Sequence, residues 1–202
     1  MKLASRVRQL VAVFVSVLFM ASAAWGATPE AEDASILKNL LGEQVSVDFL
    51  EGEFEQSKYI ADLDTTLDSS GTFSFATNEG LRWNIREPVP TNLRITPNEI
   101  VEEQDGEEVM RMDVDEQPMT RAISEVFFAI FGGDWEALAE RFTIRPVQEE
   151  SPWRFELEPK GELLKSYLSS IELQGSEYLE VLILSENNGD RTRIQLNNVE
   201  AR

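Results

Sequence analysis

The carboxylates are the side chains of this sequence with the most potential for chemistry. Asp62, Asp64 and Asp68 have a spacing that hints at a cation site, but the central Gly and terminal Glu of a calcium loop are missing. The chain has 37 Asp and Glu residues, so acid pairs occur by chance and no pair indicates catalysis. We therefore interpret residues 62–70 as a solvated acidic loop.

The composition excludes several function classes. The chain has no Cys and no His, which removes thiol nucleophiles, Cys/His zinc sites, disulfides and triads with a His base. The net charge of −19 argues against nucleic acid as a partner, because phosphate contacts need Lys and Arg. With 42% hydrophobic residues the chain is globular rather than disordered. An enzyme or an assembly factor with a merely structural core is therefore the least favoured class.

The N-terminal segment is typical of an export signal. Lys2, Arg6 and Arg8 precede an apolar run over residues 10–24, and small residues follow it. The alternative is a membrane anchor, but the run falls short of the ~20 residues that a spanning helix needs. We predict a secretory signal peptide over residues 1–26, a single domain over residues 27–202, and a periplasmic location.

In the rest of the chain, apolar and polar residues mostly alternate as they do in strands, and a helical pattern interrupts this alternation once. A helix is predicted over residues 29–42, and Ser70-Gly71 is a turn signal. Asp105-Gly106 predicts a two-residue hairpin turn, and Asn188-Gly189 predicts the last hairpin turn. The predicted strands cover residues 45–60, 72–76, 80–87, 93–95, 99–103, 109–114, 142–147, 153–158, 168–173, 179–184 and 192–199, and two further helices cover residues 118–131 and 134–140.

This order of elements predicts an α+β fold that is mainly β. About ten strands with short connections form one curved antiparallel sheet, and a sheet of that size curls toward a half or whole barrel. The helix at 118–131 has an apolar stripe of Met119, Ile123, Val126, Phe127 and Ile130. Because further aromatic residues widen this stripe, we expect the helix to plug or lid the concave face.

A wide concave face with one short lid helix favours an apolar ligand cavity. For each strand residue the alternative is an ordinary sheet core. The candidate cavity residues are aromatic or aliphatic side chains on alternating strand positions and on the lid helix, namely Phe54, Phe73, Phe75, Leu81, Trp83, Ile85, Met119, Ile123, Phe127, Phe128, Phe131 and Phe155.

Five short segments resemble one known family in their order and spacing. They are FLEGEFEQ at 49–56, SGTFSF at 70–75, GLRWNIREP at 80–88, FELEP at 155–159 and NGDRT at 188–192. Together with the signal segment, they resemble the LolA family of periplasmic carriers for outer-membrane lipoproteins. Thr77 stands near a position where that family often carries Arg.

The resemblance implies an unclosed β-barrel covered by helices, with an apolar cavity for acyl chains. It also implies transfer of lipoproteins from an inner-membrane transporter to an outer-membrane receptor, with no cofactor and no catalysis. We expect a monomer. Residues 62–70 and 132–135 are closer to divergent relatives associated with polyene pigments or other lipid-linked products. The alternative function is therefore a carrier of a free lipid or a lipid-linked pigment.

Overall fold

Eleven antiparallel strands dominate the computed structural model, which describes residues 48–202. The predicted signal peptide and the predicted helix at 29–42 lie outside the described residues. The strands are β1 Phe49–Ile60, β2 Thr65–Ala76, β3 Gly80–Glu87, β4 Thr91–Ile95, β5 Glu99–Gln104, β6 Glu107–Asp113, β7 Phe142–Gln148, β8 Trp153–Pro159, β9 Leu168–Gly175, β10 Leu179–Glu186 and β11 Arg191–Ala201. The helices are α1 Pro118–Gly132, α2 Trp135–Arg141 and α3 Glu162–Lys165.

The sheet consists of two meanders that meet at their centre. The first meander is β1 to β6 and the second is β7 to β11, and the two join where β1 pairs with β11. Strands β6 and β7 are the two edges, so the barrel is not closed. The chain between these edges forms α1 and α2. The prediction of a mainly β, unclosed antiparallel sheet with helices is therefore confirmed.

Two predicted hairpin turns are confirmed by their backbone angles. Asp105 and Gly106 have φ of 52° and 80°, the left-handed conformation that a two-residue turn between β5 and β6 requires. Gly189 has φ of 91° in the turn between β10 and β11. Residues that tolerate positive φ therefore set both connections.

The predicted loop at 62–70 and the turn at Ser70-Gly71 are wrong. The chain reverses earlier, through a short 3-10 turn at Ala61–Leu63 followed by Asp64 with φ of 45°. Strand β2 then runs through Gly71, which lies between Phe54 on β1 and Ile85 on β3. A Cβ at Gly71 would lie 1.9 Å from the Asn84 carbonyl oxygen. This Gly therefore permits a close approach of two strands and is not part of a turn.

The helix boundaries follow from local sequence signals. Pro118 occupies the first turn of α1, where its missing N–H costs nothing. Gly133 ends the helix with φ of 67°. The Asp134 side chain accepts a hydrogen bond from the Ala137 N–H at 3.0 Å and caps α2. Both predicted helices are therefore confirmed, within one residue at their ends.

Candidate functional site

Helix α1 packs one face on the first meander. Phe131 lies 5.6 Å from Phe73 and 6.4 Å from Trp83, measured between ring centroids. Trp83 in turn stacks on Phe54 at 3.9 Å. The Ser124 hydroxyl donates a hydrogen bond to the backbone carbonyl of Thr96 at 2.7 Å. An aromatic cluster and a side-chain hydrogen bond therefore hold α1 against the first meander.

The opposite face of α1 borders an apolar cleft toward the second meander. The cleft encloses about 640 Å³ of space, including the part that is open to solvent. From α1 the lining residues are Met119, Ile123, Val126, Phe127 and Ile130, and from α3, β9, β10, β11 and their flanking loops they are Leu164, Tyr167, Leu168, Ile171, Leu182, Leu184, Glu186 and Thr192.

The polar part of this lining belongs to a buried charge cluster. The Lys58 ammonium donates a hydrogen bond to Glu186 Oε1 at 2.7 Å, and Asp190 Oδ2 lies 3.9 Å from the same nitrogen. The Lys58 and Glu186 side chains are 7% and 6% exposed. Burial and the nearby Glu186 carboxylate raise the pKa of Tyr167. Tyr167 therefore stays protonated at neutral pH.

The predicted cavity residues divide into two groups. Met119, Ile123 and Phe127 line the main cleft, and Phe131 borders a second, smaller cleft of about 370 Å³ near Trp135. The others belong to the packed core beneath α1 or in the sheet, or lie against it, and a ligand role for them stays a prediction. These residues are Phe54, Phe73, Phe75, Leu81, Trp83, Ile85, Phe128 and Phe155.

Several lining residues were missed from the sequence. They are aliphatic side chains of β9 and β10, such as Ile171, Leu182 and Leu184, together with the polar Glu186 and Thr192. Both strands were predicted, but the candidate list favoured aromatic residues. The useful signal was the alternation that places Leu182, Leu184 and Glu186 on one face of β10.

The acidic residues first considered for cation binding serve local structure. Asp64 accepts a hydrogen bond from the Tyr59 hydroxyl at 3.0 Å, and Asp68 accepts one from Ser57 at 2.5 Å. Asp62 lies in the 3-10 turn. Within residues 48–202, no three acidic side chains form a group that could hold a metal ion. Over the same range, no helix has the length and apolar character needed to cross a membrane.

Sequence comparison identifies the family. The family model described as "Outer membrane lipoprotein carrier protein LolA" matches residues 45–202, which include every strand and helix that the structure describes. The chain belongs to the LolA family. No curated protein matches it significantly.

Solved structures similar to this LolA family member are distant in sequence. A LolA superfamily protein from Nitrosomonas europaea is 10% identical with a TM-score of 0.46, over 84% of this chain and 93% of that one. A DUF1329 family protein from Desulfovibrio piger is 9% identical with a TM-score of 0.46, over 87% and 94%. MucB is 16% identical with a TM-score of 0.42, over 86% of this chain and 60% of MucB.

Proposed function

We propose that this LolA family member is a periplasmic carrier that binds the acyl chain of a lipid or lipoprotein in the cleft between α1 and the second meander. The observation that carries this proposal is the cleft itself. Five side chains of one helical stripe and six residues of α3, β9 and β10 or next to them give it an almost wholly apolar wall. A polar substrate would find few hydrogen-bond partners there, whereas an alkyl chain is complementary to it.

The physical chemistry of lipid transfer explains why a carrier needs such a cleft. Each methylene removed from water contributes about 0.8 kcal/mol, so a free acyl chain does not cross an aqueous compartment readily. A protein wall replaces water around the chain without any covalent step. We therefore propose a carrier and not an enzyme.

The direction and cargo of transfer are further parts of the proposal. We infer that the chain is exported with residues 1–26 as its signal peptide, receives a lipoprotein from an inner-membrane transporter and passes it to an outer-membrane receptor. Membership of a family described as outer membrane lipoprotein carriers supports this. The alternative cargo is a free lipid or a lipid-linked pigment, because the cleft wall would also accept an alkyl or polyene chain.

Mass spectrometry of the protein purified gently from its native periplasm tests the cargo. An acylated peptide or an intact lipoprotein supports the lipoprotein carrier, whereas a phospholipid or a polyene ester supports the alternative. An empty protein that also fails to take up an alkyl probe in vitro contradicts the carrier function.

A pair of variants tests the location of the chain. Ile123→Asp places a carboxylate in the cleft wall and should abolish uptake of a fluorescent fatty acid. Val109→Asp makes the same kind of change on edge strand β6, where the side chain is 48% exposed, and should leave uptake unchanged. Circular dichroism checks that both variants keep the sheet. Equal uptake by the two variants would contradict the assignment of the cleft.

A further inference from the structure

The apolar cleft has a chemically distinct end. Glu186 and Thr192 line it at the ends of β10 and β11 that face the turn at residues 187–190. Glu186 is 8% exposed, and Thr192 is 3% exposed. Apart from these two residues and the Tyr167 hydroxyl, the lining side chains from residues 48–202 are apolar. A chain in the cleft would therefore have one place where a polar end group finds partners.

Among the described residues, the charge of this end is negative. The single ammonium of Lys58 faces two carboxylates, Glu186 at 2.7 Å and Asp190 at 3.9 Å. In a poorly solvated site, these carboxylates disfavour the binding of a further anionic group. An anionic end group such as a carboxylate or phosphate would be repelled, whereas an ammonium, an amide N–H or a hydroxyl would be stabilised.

The Glu186 carboxylate also has acceptor capacity left. A carboxylate offers about four lone-pair sites. Lys58 donates to one oxygen, and the Tyr167 hydroxyl lies near the same carboxylate. Tyr167 borders the cleft as well, so its ring would flank the same end group. Hydrogen bonds to an ionised acceptor are roughly twice as strong as those between neutral groups.

We propose that Glu186, supported by Lys58 and Asp190, forms a head-group subsite that selects amphiphiles with a cationic or hydrogen-bond-donating end and disfavours anionic ones. This inference rests on the proposed function, because it requires the apolar chain of the ligand to lie in the cleft. It adds a direction to binding, with the polar end at β10 and the chain running along α1.

Two probes with the same twelve-carbon chain test the subsite. Dodecylammonium and dodecanoate compete with a bound apolar fluorophore, N-phenyl-1-naphthylamine, at pH 7.5, below their micellar concentrations. The buffer contains 0.5 M NaCl, which screens the general attraction of an acidic protein for cations. The wild-type protein should bind dodecylammonium at least tenfold more tightly than dodecanoate.

Three variants separate a direct contact between Glu186 and the end group of the probe from the general electrostatic field of the acidic protein. Glu186→Gln keeps the shape of the side chain and an acceptor for Lys58 but removes the charge. The ratio of the affinity for dodecylammonium to the affinity for dodecanoate should therefore fall below threefold. Asp190→Asn removes a charge that does not line the cleft, so its ratio should stay closer to the wild-type value. Glu140→Gln removes an exposed charge on α2 and should leave the ratio unchanged. If Glu186→Gln does not fold, Glu186→Asp retracts the carboxylate by one methylene and should also lower the ratio.

The outcomes distinguish this inference from the carrier function. Tight binding of both probes with a wild-type ratio near one, or a preference for dodecanoate, overturns the head-group subsite and leaves the carrier intact. A tenfold ratio that persists in a folded Glu186→Gln protein overturns the subsite too. If neither the fluorophore nor the two probes bind, the carrier function itself fails and the subsite fails with it.

Discussion

The Ser124 hydroxyl of α1 donates a 2.7 Å hydrogen bond to the carbonyl oxygen of Thr96, the residue that follows β4. This bond lies on the face of α1 that packs on the first meander, together with the contact between Phe131 and Trp83. The other face meets the second meander through the apolar walls of the cleft. Helix α1 is therefore attached to one half of the sheet and covers the other.

Removing this attachment should loosen α1 without disrupting the sheet. Ser124→Ala leaves the Thr96 carbonyl without its side-chain donor, so the free energy of unfolding should fall by about 1–2 kcal/mol. Urea denaturation measures this change. Ser166→Ala removes a similar bond to the Leu163 carbonyl at an exposed site and should change stability by less than about 0.5 kcal/mol. Equal losses in the two variants would argue against an anchoring role for Ser124.

The cleft should limit the length of chain that binds. Leu184 is a partly buried lining residue on β10, so Leu184→Phe adds volume to the wall. We expect affinity for a sixteen-carbon probe to fall at least fivefold, and affinity for an eight-carbon probe to fall less. Isothermal titration calorimetry with both probes provides the measurement. An equal loss for both lengths would indicate a general distortion and not a filled cleft.

Gly71 should be intolerant of any side chain. A Cβ there would lie 1.9 Å from the Asn84 carbonyl oxygen, so Gly71→Ala forces β2 and β3 apart and should cost at least about 2 kcal/mol of stability. Gly161 is the matched control, because a Cβ there meets no atom within 4 Å. Its φ of −84° also suits any residue. Gly161→Ala should be neutral or slightly stabilising in thermal denaturation, and the reverse ranking would contradict the geometry.

Much of the fold was predictable because local signals agreed with tertiary packing. Strand β3 was predicted with its observed ends, since Leu81 and Trp83 alternate with polar residues before Pro88 ends the strand. The prediction of a loop over residues 62–70 is wrong for a physical reason. Polar residues and Gly71 resemble a turn locally, but a long hairpin needs polar residues on its exposed positions and Gly71 at a close strand approach.

The site was predicted less completely because α1 has two apolar faces. The five residues of the predicted stripe from Met119 to Ile130 all line the cleft, and a ligand role for them stays a prediction. The residues that widen it, Phe128 and Phe131, pack against aromatic rings of the first meander. Which half of the sheet leaves space depends on the position of α1 between the sheet edges, and helical periodicity carries no information about that.

The Lys58 ammonium should be essential for stability. Lys58→Met leaves the buried Glu186 carboxylate without its 2.7 Å partner, a change that typically costs about 3–5 kcal/mol. Lys165→Met removes an exposed ammonium from α3 and should change stability by less than about 0.5 kcal/mol. Denaturant titration compares the two variants. A loss below about 1 kcal/mol in Lys58→Met would show that the cluster relaxes or hydrates easily.

A buried carboxylate on β5 should make stability depend on pH. Glu102 is 4% exposed and pairs across the sheet with Leu93, and burial raises its pKa above 4.5. The folded state therefore holds this proton more tightly than the unfolded state, and stability falls as pH rises from about 4.5 through the raised folded value.

Glu102→Gln removes this titration. The variant should be more stable than the wild type at pH 7, and the difference should disappear below pH 4.5, where both side chains are neutral. Thermal denaturation over this pH range tests it. Glu103→Gln on the exposed face of the same strand corrects for the general effect of lowering the negative charge. A pH-independent difference between the wild type and Glu102→Gln would exclude the titration.

The pairing of β1 with β11 has a consequence for how the molecule is made. Phe54 lies opposite Leu196, so the central strand pair of the sheet joins residues that are far apart in the chain. Contacts of such long range slow folding, because the closure entropy of the intervening chain is lost before the pairing is gained. The two halves of the sheet cannot combine until the residues of β11 have been synthesised. The central strand pairing is therefore among the last contacts that a newly synthesised chain can form.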